Sequence, residues 1–176
     1  MAEIKSTIDL VMKKLGKLDI SPEERARFKK EEVKDFAQRL LNRYFIQGDQ
    51  KGFSTLTREL EGAREGVRDA LVELLVSAYS FEDPSPTNLT GLMVVQEKKG
   101  REIAEVLQEL TTRYRRERDE EWRSKEEDLR TELDRKGIAG SAVEPNPASD
   151  PRWGDFIEQL NRSYEERKKE LLKTLV

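Results

Sequence analysis

Side chains able to do chemistry are few in kind in this chain of 176 residues. It contains no histidine and no cysteine. That removes disulfides, thiolate and imidazole metal sites, and every Cys–His or Ser–His mechanism. Carboxylates, amines, phenols and alcohols remain. The densest carboxylates are Asp119-Glu120-Glu121 and Glu126-Glu127-Asp128. They could hold a hard cation, but the spacing and glycine of a calcium loop are absent. No Walker A loop, dinucleotide glycine motif or nucleophile elbow occurs. "RYRRER", residues 113–118, sets arginines beside an aromatic ring, as a phosphate-binding patch would. Asp119, Glu120 and Glu121 follow at once and cancel much of that field. The expectation is no catalytic residue, no metal and no cofactor.

Composition points the same way. Hydrophobic residues make up 35% of the chain and charged residues 39%. The first figure is low and the second high for a compact globule. The balance suits long helices with one apolar stripe and much solvated surface. Lys and Arg number 33 against 36 Asp and Glu, a net charge of −3. Mixed signs at this density favour pairing along helices over a field of one sign. The most basic stretch, 1–48, has only eleven basic against eight acidic side chains, which argues against nucleic acid as the partner. No segment reaches the roughly 18 apolar residues of a membrane span. Charges interrupt the opening "MAEIKSTIDLVMKKLG" before it reaches signal-peptide length. The expected location is cytoplasmic, with no membrane insertion.

The elements that would position any site are helices, and five can be read from periodicity and punctuation. The first covers about 2–15, where Ile4, Ile8, Val11 and Leu15 form a 4-3-4 seam like that of a coiled coil. The second starts at Ser21-Pro22-Glu23-Glu24, a capping box with proline at the first helical position. It carries Phe28, Val33, Phe36, Leu40, Leu41 and Phe45 to a stop at Gly48. The third runs from Asp49 to about Ala78, with Gly62 and Gly66 inside it. They read as a close-approach surface or as tolerated glycines on a wet face. The fourth is long, about 86–136, and ends at Gly137-Ile138. The fifth starts with Asp150 as N-cap and Pro151 behind it. No strand pattern of useful length is present.

Antiparallel neighbours keep the sum of facing residue numbers nearly constant. Applied to the stripes, this pairs Phe45 with Phe53 and Phe28 with Ala70. It pairs Val67 with Ile103 and Ala70 with Gly100. It pairs Leu133 with Trp153 and Trp122 with Tyr164. The third helix would then cover the fourth only to about residue 120. The run "RRERDEEWRSKEED", 115–128, carries twelve charges in fourteen positions. It becomes the solvated surface of an arm in which only the fifth helix accompanies the fourth. The expected fold is an all-α, elongated antiparallel bundle of about five helices. It forms a single domain over 1–176, with a core over about 1–114 and a charged, coiled-coil-like hairpin arm over about 115–176.

The connector "GIAGSAVEPNPASDP" is longer than a helix hairpin needs, and long loops are often functional. Gly140, Ser141, Val143, Pro145, Asn146 and Pro147 are its candidate partner-binding residues; the alternative is a connector packed over the end of the arm. This loop with the next helix, "GIAGSAVEPNPASDPRWGDF", and the opening "MAEIKSTIDLVM" resemble a bacterial all-helical protein family of unknown function. The resemblance implies a cytoplasmic helical protein and assigns no functional residue. Three function classes stand in order. The first is a non-enzymatic interaction or scaffold protein, self-associating into a homo-oligomer through the Ile4, Ile8, Val11 and Leu15 stripe and binding a protein partner. The second is a nucleic-acid-associated accessory protein. The third is an enzyme using carboxylates alone.

Overall fold

The computed structural model describes residues 21–46, 52–138, 140 and 144–175. These residues are helical, with no strand among them. α1 is Pro22–Leu41, α2 Phe53–Glu61, α3 Val67–Ser77, α4 Pro86–Val95, α5 Glu97–Arg135 and α6 Pro151–Leu175. A π-helical turn, Asn42–Ile46, prolongs α1, and a 3-10 turn, Pro147–Ser149, precedes α6. The first expected helix, with Ile4, Ile8, Val11 and Leu15, lies outside the described residues, as do Ser141 and Val143.

Helix starts follow the sequence signals. The Ser21 hydroxyl accepts from the Glu24 N–H at 3.1 Å, and the Glu24 carboxylate accepts from the Ser21 N–H at 3.0 Å. Ser85 caps α4 through the Asn88 N–H. Asp150 accepts from the Arg152 N–H at 2.9 Å, with Pro151 opening α6. The end of α5 is a Schellman motif. Ile138 N–H donates to the Leu133 carbonyl and Gly137 N–H to that of Asp134, and Gly137 has φ 70.

Two expected helices are broken. The third splits into α2 and α3 because Gly66 takes φ 86, a left-handed conformation that glycine alone adopts without strain. Gly62 ends α2 and Gly66 opens α3, so neither is a mid-helix glycine. The fourth splits at Gln96, which is extended at φ −144 and ψ 92. Here α4 turns sharply into α5. A Cβ on Gly100 would lie 1.9 Å from the Leu92 carbonyl oxygen, so the corner requires glycine. Gly100 does permit a close approach, but to the backbone of α4 rather than to Ala70. Arg68 braces the corner by donating to the Val95 carbonyl at 2.7 Å, and the Gln96 amide donates to Asp69 at 2.5 Å.

The registers fare differently. Between α1 and the 53–77 segment the expectation holds in outline. Phe45 and Phe53 have ring centroids 5.6 Å apart, and Val33 lies beside Gly66. Phe28 is 45% exposed and is not part of the buried stripe. The register of the third helix on the fourth does not hold. It would set Tyr79 opposite Gly91, whereas the Tyr79 hydroxyl meets Thr111. The corner at Gln96 keeps α3 against α4, and the turn after α3 reaches α5 through Tyr79.

The expected pair of Trp122 with Tyr164 does not form either. Trp122 packs edge-on against Trp153, with centroids 5.1 Å apart, and Tyr164 packs against Tyr114 at 5.3 Å. Trp153 thus lies eleven residues, about 16 Å, from its expected partner Leu133. The connector is the cause. Its last part lies beside α5, with Pro147 buried and the Pro147–Ser149 turn against both α5 and α6. Arg152 consequently lies in the field of Asp128 and Glu132.

The core holds Leu40, Leu56, Leu71, Leu75, Leu92 and Leu107, all nearly inaccessible, and the C-terminal half of α6 joins it through Tyr164, Leu171 and Leu172, with Leu160 just ahead of them. That half belongs to the body rather than to the arm. Past Tyr114, α5 has no fully buried residue up to its end at Arg135. Its companions there are the first turns of α6 and the segment before it.

Candidate functional site

Arm and body are joined by four aromatic rings from three places in the chain. Tyr79 and Phe81 come from the turn after α3, Tyr114 from α5 and Tyr164 from α6. Phe81 contacts the other three, with centroids 5.4 to 6.2 Å apart. Tyr114 and Tyr164 meet at 87°, the edge-to-face arrangement that ring quadrupoles favour. Each tyrosine hydroxyl has a partner. The Thr111 hydroxyl gives its one hydrogen to the Leu107 carbonyl, so Tyr79 donates to Thr111, at 2.8 Å. Tyr114 donates to Asn161 and Tyr164 to Glu117, each at 2.8 Å.

Lys168 closes this junction from α6. It is 4% exposed. Its ammonium donates to the carbonyls of Tyr79 at 2.8 Å and Ser77 at 3.3 Å, and to Glu165 at 2.6 Å. An ammonium has three N–H groups, and all three are used. The carbonyls belong to the C-terminal end of α3, where a cation complements the helix dipole. Burial raises the Tyr114 phenol, helped by the Glu82 charge, and burial with the Glu117 hydrogen bond raises that of Tyr164. Both stay protonated at neutral pH. The hydrogen bonds of Lys168, Tyr114 and Tyr164 tie α6 to the turn after α3 and to α5.

Farther out, Trp122, Trp153 and Phe156 form a half-buried aromatic step. Of the candidate loop residues, the structure brings Pro145, Asn146 and Pro147 together on the flank of the arm. Pro147 is buried, and Asn146 caps the Ala148 N–H with its side chain and accepts from Ser149 with its carbonyl. These two hold the connector against α5. Gly140 is exposed. Ion pairs run along the charged surface, with Glu109 to Arg113, Arg116 to Glu120, Glu121 to Lys125, Glu126 to Arg130 and Glu132 to Lys136 all one turn apart.

A groove of about 310 Å³ lies between α1 and α3. Lys29, Lys30 and Lys34 form its α1 wall, and Glu65, Asp69 and Glu73 its α3 wall, over a floor of Val33, Gly66 and Ala70. This volume is at the low end for a small-molecule site, and such sites are mostly apolar. Periodicity could not find the groove, because its charged residues carry no hydrophobic signal. The buried role of Lys168 escaped for the same reason: a lysine carries no hydrophobic signal. No group of His, Cys, Asp or Glu among the described residues is arranged to hold a metal ion. No described helix is long and apolar enough to cross a membrane. No family model, curated protein or solved structure matches the chain.

Proposed function

We propose that this chain is a non-enzymatic helical interaction or scaffold protein that self-associates and offers its arm to a protein partner. The observation that carries this reading is the distal half of α5, about 20 residues past Tyr114. It extends about 30 Å at 1.5 Å per residue, and among the described residues its main neighbours are the start of α6 and the turn before it. A fold with nothing to gain from reach would not keep two helices in so thin a package, since a pair buries one narrow stripe between them.

The local pairing of its charges favours a protein partner over nucleic acid. Each arginine that could meet a phosphate, such as Arg113, Arg116 or Arg130, has a carboxylate one turn away. The Ile4, Ile8, Val11 and Leu15 seam supports self-association, because a narrow apolar stripe is buried best by another helix. The reading takes the chain as a cytoplasmic protein of a bacterial helical family.

Sedimentation equilibrium on the full chain and on an Ile4→Asp, Ile8→Asp variant tests it. The reading expects a dimer or larger at tens of micromolar for the native chain and a weakened assembly for the variant. A native chain that stays monomeric throughout contradicts self-association.

A further inference from the structure

The groove between α1 and α3 sets a row of lysines against a row of acids. Beside it, Arg27 pairs with Glu31 and Arg64 with Glu32. Among the described residues, Lys29, Lys30, Lys34, Glu65 and Glu73 in the groove form no ion pair, and Asp69 accepts from the Gln96 amide. Two opposite rows therefore flank a floor that contains the half-buried Val33. The rows are level with one another. α1 and α3 run antiparallel, with Val33 beside Gly66, so Lys34 stands at the height of Glu65, and Lys30, one turn back, at that of Asp69 or Ala70.

We infer that a second copy of this chain docks on this face, about a two-fold axis running along the groove. That operation exchanges left and right without changing height. It lays α1 of one copy over α3 of the other, so Lys34 meets Glu65 and Lys30 meets Asp69 at their own levels, twice over by symmetry. The result is a four-helix arrangement with Val33 and Ala70 of both copies at its centre. A face with one sign of charge would repel its copy; this one attracts it. The inference rests on the reading that the chain self-associates and names a face other than the 4–15 seam.

Size sets the strength. The exposed first four turns of α1 are about 22 Å long, and two packed helices span about 20 Å, so roughly 450 Å² per copy is covered. About 900 Å² in total is below the standard interface. The contact is therefore weak and sensitive to salt.

The test exchanges the rows. One variant carries Lys29→Glu, Lys30→Glu and Lys34→Glu; the other carries Glu65→Lys, Asp69→Lys and Glu73→Lys. Circular dichroism melts establish that each folds. In sedimentation equilibrium each variant alone should self-associate at least about tenfold more weakly than the native chain, and an equimolar mixture should regain the native affinity, because only the mixed pair is complementary. For a variant that does not fold, the second readout is cross-linking. The native chain has no cysteine, so a mixture of Lys34→Cys and Glu65→Cys chains should oxidise to a covalent dimer faster than either alone. A native dimer left unchanged in both reversed variants, or equal cross-linking in all three samples, overturns this face while leaving self-association standing. A native monomer at every concentration overturns both.

Discussion

Lys168 shows how much a single side chain can hold. Replacing it with Met keeps most of the stem and removes three hydrogen bonds, two of them to backbone carbonyls that stay buried. Hydrogen bonds to charged groups contribute about 1.5–3 kcal/mol each, and a stranded carbonyl adds to the loss. Lys168→Met is expected to destabilise by about 3 kcal/mol in urea unfolding, against under about 0.5 kcal/mol for Lys169→Met on the exposed side. The tyrosines give a pH prediction. Burial raises the phenols of Tyr114 and Tyr164, and burial with a Glu59 hydrogen bond raises that of Tyr44. A group raised on folding stabilises fully below its unfolded value, about 10 for tyrosine, and the contribution is lost as pH rises through the folded value. Unfolding midpoints should therefore hold level to about pH 10 and fall above it, with phenolate absorbance rising late. Asp150 behaves in the opposite sense. Hydrogen bonds from Arg152 hold its carboxyl below the usual range, so its support for the start of α6 is present above about pH 4 and fades as pH falls further. Amide exchange at 150–156 should speed up selectively there, and Asp150→Asn should flatten that dependence.

At the scale of elements, the caps were legible because they are local. Ser21, Gly137 and Asp150 need only their own neighbours to do their work. The breaks at Gly66 and Gln96 were not. The apolar stripe continues through both, and what interrupts it is a backbone conformation in one case and a tertiary corner in the other. The register of α6 on α5 failed for a more instructive reason. Eleven residues are just over three whole turns, so a slip of eleven lays the stripe nearly back on itself. Periodicity cannot tell Trp122 opposite Tyr164 from Trp122 opposite Trp153. The choice is made by the tyrosine hydroxyl partners and by the buried Pro147, which a stripe does not encode. Two element-scale outcomes follow. Gly100→Ala must open the corner between α4 and α5, because the obstruction is backbone; overpacking of this kind costs about 1–3 kcal/mol and should appear as a lower melting temperature. Trp122→Ala should act locally. Hydrogen exchange should quicken over 118–133 and 147–156 and stay unchanged over 67–77, because the body is held by Phe81, Tyr114 and Lys168.

The whole molecule reads as a body that stores its stability in one core and an arm that stores little. The all-helical class and the exposed charged run were legible in composition. The groove was not, because only the fold brings a lysine row and an acid row to the same level. The account stands on α5 continuing unbroken from the body to the end of the arm. Labels at Arg101→Cys and Arg135→Cys, both at exposed positions of α5, measure that by pulsed dipolar spectroscopy. Thirty-four residues of straight helix separate them by about 51 Å. One narrow distance near that value is the predicted result. A distribution centred below about 35 Å would mean that the helix breaks and folds back on the body, and it would contradict the arm and the interaction role built on it.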